Sequence, residues 1–152
     1  MHSYHEGKQF EEIFRLAALR QGFLPVQMPL GAKRAGKRLI QIKTPFDFIL
    51  LKQGDPEGTS IFIDCKSFNK NMISYSELTE HQVCSLSTIQ RYGFSAGYLI
   101  WFRQENAVCF AKASDLRRIE PGKSMHGREM IYLGSIQEFY LGRLFTLQWE
   151  KP

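Results

Sequence analysis

The stretch "PFDFILLKQGDPEGTSIFIDCK", residues 45–66, decides how the chain folds. It reads as a strand, "PFDFILLK", a turn rich in turn formers, "QGDPEG", and a second strand, "SIFIDCK". The pair forms a hairpin. Side chains alternate along a strand, so Asp64 and Lys66 point the same way and Cys65 points to the other face. Asp47 stands among Phe46, Phe48, Ile49, Leu50 and Leu51, and a carboxylate there needs a cation, a metal or hydrogen-bond donors unless it caps a strand end in water. Adjacent strands lie about 5 Å apart, so the hairpin can bring Asp47 and Asp64 together beside Lys66. Taken alone, an acid two residues before a lysine is equally the mark of an ordinary ion pair, and Glu6-Gly7-Lys8 repeats the spacing.

Two carboxylates and a lysine fit metal-assisted cleavage of a phosphodiester. Hard oxygen ligands suit Mg2+ or Mn2+, which stabilises phosphate charge, and the lysine can orient or help deprotonate a water. His2, His5, His81 and His126 lack the spacing of a ligand pair. Cys65, Cys84 and Cys109 are odd in number and widely spaced, which indicates neither a disulfide framework nor a zinc site and suits a reducing cytosol. No apolar signal core opens the sequence and no run approaches a membrane span, so the expectation is a cytoplasmic protein with no membrane partner.

The chain has 152 residues, 43% of them hydrophobic and 13% aromatic, a globular composition with room for one core. Its formal charge of +5 favours an anionic partner, nucleic acid before membrane. Without repeats or a Pro/Gly-rich linker, residues 1–152 are expected to form a single domain.

"GKQFEEIFRLAALRQGF" places Phe10, Ile13, Phe14 and Ala17 at helical spacing and stops at Gly22. "FLPVQM" reads as a short strand interrupted by Pro25, and "GAKRAGKR" as a flexible cationic loop. "SELTEHQVCSLSTIQRYGF" reads as a helix with a Ser cap and Gly93 as its stop. On that helix Gln82 is the polar exception in a stripe of Leu78, Leu86 and Ile89, so it is either a satisfied core amide or a group reaching the site. "AGYLIWF" is apolar without alternation, as expected of a strand covered on both faces, and "AVCFAKA" pairs with it through "RQEN". "EMIYL" is expected as a strand and "SIQEFYLGRLF" as a helix. The fold class is α/β (α+β), a central mixed sheet flanked by helices.

Gly31, Gly36 and Lys37 match the start of a G-x-x-x-x-G-K-[ST] phosphate loop. Arg38 stands where Ser or Thr is required, and "LIQIK" beyond it reads as a strand, so no nucleotide cofactor is expected. Lys33, Arg34, Lys37 and Arg38 are better read as contacts for DNA phosphates.

In order and context, "GKQFEE", "GAKR", "PFDF", "IDCK" and "EHQ" resemble the PD-(D/E)xK nuclease superfamily, whose core is restriction-endonuclease-like. They are most similar to the Holliday-junction resolvases of archaea and of Gram-positive bacteria, over residues 7–112. "SFNKNMISYSELTEHQ" is the most particular part, since the bacterial resolvases also follow their lysine with a Ser/Thr/Lys-rich segment leading into a helix. Residues 113–152 form a C-terminal extension outside the resemblance. The resemblance implies Asp47, Asp64, Glu11 and the backbone carbonyl of Cys65 as metal ligands. It implies Lys66 as the catalytic lysine, Gln82 in support, and Lys70 together with the basic loop as DNA contacts. Helical phase does not separate Glu11 from Glu12, and only the family's Gly-x-x-x-Glu pattern selects Glu11.

The resemblance further implies an Mg2+-dependent endonuclease acting as a homodimer, resolving four-way junctions by paired symmetric nicks. Three features depart from the pattern. Phe46 separates Pro45 from Asp47, Asp64 replaces a common glutamate, and "RAGKRLIQIK" is short where the bacterial enzymes carry a long stalk. The alternatives are a restriction, homing or repair endonuclease on duplex DNA, or a noncatalytic DNA-binding factor with the same fold.

Overall fold

The computed structural model describes residues 2–29, 31–42, 44–54 and 59–149. Helix α1 runs His2–Arg20 and buries Phe10, Phe14, Ala17 and Ala18, the apolar stripe of its sequence. Strands β1 (Phe23–Gln27), β2 (Gly31–Ala35), β3 (Arg38–Ile42), β4 (Phe48–Lys52) and β5 (Ser60–Phe68) follow. Next come β6 (Met72–Ser74), a short 3₁₀ turn over Tyr75–Glu77, α2 (Glu80–Arg91), β7 (Ser95–Phe102) and β8 (Ala107–Lys112). The chain closes with α3 (Ala113–Arg117), β9 (Ser124–His126), β10 (Ile131–Gly134) and a 3₁₀ turn over Leu141–Phe145.

Six strands form one mixed sheet in the order β1-β4-β5-β7-β8-β10, with β2-β3 and β6-β9 as separate ribbons. Among the described strands only β5 and β7 run parallel, from Ile61 beside Ser95 to Phe68 beside Phe102. The crossover between them carries α2, as a parallel connection requires. β7, covered on both sides, is buried over Ala96–Ile100, which is why its sequence shows no alternation.

The period of two divides each central strand between two cores. Ile61, Ile63, Cys65, Leu99, Val108 and Phe110 join α1 on one side. Tyr98, Ile100, Phe102 and Cys109 join Leu86 of α2 and Leu116 of α3 on the other. Gly97 is required by close approach, because a Cβ there would sit 2.3 Å from the Ala111 carbonyl oxygen. Gly93 ends α2 at φ 94°, the left-handed position that suits a residue without Cβ.

Several expectations are corrected. "GAKRAGKR" is a β-ribbon: Gly31–Ala35 pairs with Arg38–Ile42, and Gly36 at φ 62° makes the turn. The two residues between the paired Ala35 and Arg38 are Gly36 and Lys37, and the cations clustered around that tight turn disguised a two-residue hairpin as a loop. Thr79 stands at the N-cap of α2, so Leu78 precedes the helix and the Ser cap is displaced. "SIQEFYLGRLF" is not a helix: Phe139 bridges Gly134 and only Leu141–Phe145 turns as 3₁₀. Its buried residues, Phe139, Leu141 and Leu144, follow an extended step and then one tight turn, which a 3.6 period cannot serve. Helix α3 and the β6-β9 ribbon were not anticipated.

The segment after β10 completes the α1 side of the core. Gln21, just past α1, donates from Nε2 to the Phe139 carbonyl and accepts at Oε1 from the Leu141 amide, each at 2.8 Å. Phe23 stacks on Phe145, and Phe110 meets Trp149 edge to face. No helix among the described residues is long and apolar enough to cross a membrane.

Candidate active site

The site follows from where β4 begins. Phe48 is the first β4 residue paired with β5, opposite Ile63, and the Asp47 amide closes that ladder on the Ile63 carbonyl at 3.0 Å. β5 continues alone on that edge to Phe68. The next outward-facing backbone group, the Cys65 amide, donates to Asp47 Oδ2 at 2.8 Å. In an extended strand a residue's carbonyl lies on the same side as its amide, so the Cys65 carbonyl also faces this open edge. Asp47 therefore caps a strand end and also holds a hydrogen-bonded position beside the second acid.

A cleft of about 530 Å³ opens here, and its lining includes Glu11, Asp47, Asp64, Cys65, Lys66 and Gln82. These are the site residues the sequence nominated around the two strands. Glu11 reaches the cleft from α1, whereas Glu12 is exposed and pairs with Arg15 at 2.7 Å. Lys8, one helical turn before Glu11, and Ser67, Phe68 and Glu77 also line the cleft. The spacing of Lys8 to Glu11, three residues on one helix face, carried the signal for the lysine.

Asp64, Lys66 and Gln82 close a triangle. Lys66 Nζ lies 3.1 Å from Asp64 Oδ2 and donates to Gln82 Oε1 at 2.9 Å. Gln82 Nε2 donates to Asp64 Oδ1 at 3.0 Å. Both ends of the amide are used, so its orientation is fixed by chemistry. The Lys66 contact with Oδ2 is an ion pair without hydrogen-bond alignment, since no hydrogen bond of good geometry ends on that buried oxygen.

Asp64 is 0% exposed, and burial pushes its carboxyl up to about 8; the Lys66 charge opposes the rise and the Asp47 charge adds to it. Glu11 rises to about 7, through burial first and Asp47 second. Burial outweighs the adjacent ammonium because desolvation penalises a carboxylate that has lost its water. Three acids thus press on one another at the end of β5.

Among the described residues, no three acidic, histidine or cysteine side chains stand arrayed to enclose an ion. The donor set still fits a hard divalent cation: oxygen donors from Asp47 and Asp64, the outward Cys65 carbonyl, and Glu11 close by, all in an environment where added positive charge would relieve the raised carboxyls.

Of the DNA contacts implied, Arg34, Lys37 and Arg38 are exposed on the β2-β3 ribbon, and the Lys33 side chain lies outside the described residues. Lys70 sits at the rim, 2.5 Å from Glu77 and over the Phe68 ring. The structure does not bring these cations into the cleft lining.

A mixed sheet with one parallel pair and a helix on each face is the restriction-endonuclease-like fold. Among solved structures the chain is similar to Hjc, a Holliday junction resolvase from the archaeal hyperthermophile Archaeoglobus fulgidus. The likeness has a TM-score of 0.57 at 19% identity, and covers 83% of this chain and 95% of that one. It shows the fold that the motifs implied. No family model and no curated protein matches the sequence.

Proposed function

We propose that the chain is a divalent-metal-dependent endodeoxyribonuclease that resolves four-way DNA junctions by paired symmetric nicks. The observation that carries this reading is the convergence of Glu11, Asp47, Asp64, Lys66 and Gln82 in one cleft at the uncovered edge of β5. The resolvase-like fold supports the junction as substrate.

In this reading Asp47, Asp64 and the Cys65 carbonyl hold Mg2+, with Mn2+ as a substitute and Glu11 as a further ligand or proton acceptor. The ion supplies Lewis-acid neutralisation of phosphate charge. Lys66 orients the attacking water and stabilises charge that builds on the phosphate oxygens. Gln82 keeps the lysine and Asp64 in register through its two amide ends. Glu11, raised to about 7, is suited to exchange a proton near neutral pH. Lys33, Arg34, Lys37, Arg38 and Lys70 contact backbone phosphates. Residues 1–152 act as one nuclease domain, and two copies related by a two-fold axis present two clefts to two strands of the junction.

The test is cleavage of an end-labelled four-way junction and of a linear duplex with the same arm sequence, in Mg2+ and in Mn2+, by wild type and Lys66→Ala. Paired nicks in the junction alone, absent in the variant, are expected. Cutting of the duplex would overturn the junction reading, and no cutting of either substrate would overturn the nuclease reading.

A further inference from the structure

Asp64 has a neighbour that the reading above does not use. Tyr98 lies directly beside it on the parallel strand β7, in register. Laterally paired residues project from the same face of a sheet. Both are 0% exposed. Two of the buried side-chain oxygens without a hydrogen-bond partner are Tyr98 Oη and Asp64 Oδ2. A phenol in the buried cluster that also holds Ile100, Phe102 and Leu86 would pack as well without its hydroxyl. The hydroxyl therefore calls for a partner, and Asp64 Oδ2, an acceptor likewise without one, projects from the paired strand on the same face.

Neighbouring strands stand about 4.8 Å apart. No direct hydrogen bond joins the two oxygens, and a single water is the group that can satisfy a buried donor and a buried acceptor on neighbouring strands at once. The proximity also appears electrostatically: burial raises the Tyr98 phenol well above its ordinary value, and the Asp64 and Asp47 charges raise it further.

We infer that Tyr98 is a positioning residue for Asp64, its hydroxyl donating through one buried water to Oδ2 and fixing the plane of the carboxylate. Gln82 and Lys66 hold that carboxylate from the α2 side and from along β5. Tyr98 supplies the third restraint, from β7. With all three in place one carboxylate orientation is selected, the one that serves an ion at the β5 edge. The inference rests on the proposed metal-binding role of Asp64 for its consequence, though not for the Tyr98–Asp64 coupling itself.

The experiment has two arms, both without DNA. In the first, Mn2+ binding to wild type and Tyr98→Phe is measured by calorimetry. About tenfold weaker binding is expected for the variant, as for loss of a partner that orients a ligand, with no fall in melting temperature. Unchanged Mn2+ affinity together with a raised melting temperature would overturn the inference, because a merely orphaned hydroxyl is relieved by its removal. In the second arm, unfolding of Tyr98→Phe, Asp64→Asn and the double variant is followed in EDTA. Non-additive effects support the coupling; additive effects overturn it. If wild type takes up no Mn2+, the second arm still decides: non-additivity would retain Tyr98 as the partner of Asp64 while the metal-dependent reading falls, and additivity would sink both.

Discussion

Lys66 Nζ donates to Gln82 Oε1 at 2.9 Å, so a glutamine on the crossover helix sets the position of the lysine on β5. The other end of the same amide donates to Asp64. The helix that makes the parallel β5-β7 connection thereby also fixes the chemistry at the end of β5. Replacing Gln82 with alanine is expected to lower cleavage by about tenfold or more at limiting Mg2+ while leaving junction binding in EDTA unchanged. Gln82→Glu is expected to be worse, because it sets a second carboxylate against Asp64. A Mg2+ titration of cleavage rates for both variants is the check.

Asp47→Asn and Asp64→Asn are each expected to abolish cleavage and to retain DNA binding. The substitutions remove charge from the acid cluster and leave the exposed cations of the β2-β3 ribbon in place. Gel shifts in EDTA beside cleavage assays in Mg2+ separate the two properties; unchanged cutting by either variant would refute the site assignment.

Stability of the metal-free protein should fall as pH rises. Asp64 and Glu11 have folded values near 8 and 7, above their ordinary values of 3.8 and 4.5. The folded state therefore binds these protons more tightly than the unfolded chain. Their contribution is fully present below about pH 4 and is lost as pH rises through 7 and 8. Over pH 5 to 9 in EDTA, the melting temperature of Asp64→Asn should decline less than that of wild type. Cleavage in Mg2+ should move oppositely and rise over the same range, since the ligands must shed their protons.

Neutralising Lys33, Arg34, Lys37 and Arg38 together is expected to weaken junction binding and to flatten its salt dependence, by about 0.9 in the log–log slope for each phosphate that the ribbon no longer neutralises. Binding isotherms across a series of salt concentrations test this. An unchanged slope would remove the ribbon from the DNA interface.

Gly97→Ala is expected to destabilise the fold by about 1 to 3 kcal/mol, because the added Cβ would meet the Ala111 carbonyl at 2.3 Å and the Phe110 ring at 2.6 Å. Urea unfolding would register it. A neutral result would mean that β7 and β8 can separate without loss.

The central hairpin, α1, α2 and the β7-β8 pair were legible because each carries its own period and punctuation. In "PFDFILLK…SIFIDCK" the apolar runs and the turn act over a few residues, and the ladder from Phe48 to Ile63 follows. Asp47, Asp64 and Lys66 were legible with it, since strand alternation and pairing fix their neighbourhood. Glu11 was not separable from Glu12 by phase, and which acid enters the cleft depends on how α1 lies on β5, a tertiary matter. Tyr98 gave no signal, because a tyrosine in an apolar run reads as core and its register with Asp64 exists only once β5 and β7 are parallel neighbours. The C-terminal segment was misread for a related reason: Phe139 and Leu141 are held by Gln21, about 120 positions away in the chain, so local periodicity says nothing of their conformation.

That long-range clamp also bears on how the protein is made. Phe10 and Phe14 share one core with Leu141 and Leu144, so the helix that delivers Glu11 finds its full packing only when those two leucines have left the ribosome. Synthesis proceeds at about 5 to 20 residues per second, and during that interval the nascent chain displays the basic ribbon before the α1 side of the acidic cleft is complete. On the proposed function, contact with DNA would therefore precede competence to cut it, and a chain stalled before Phe139 would be a binder without a finished cleft.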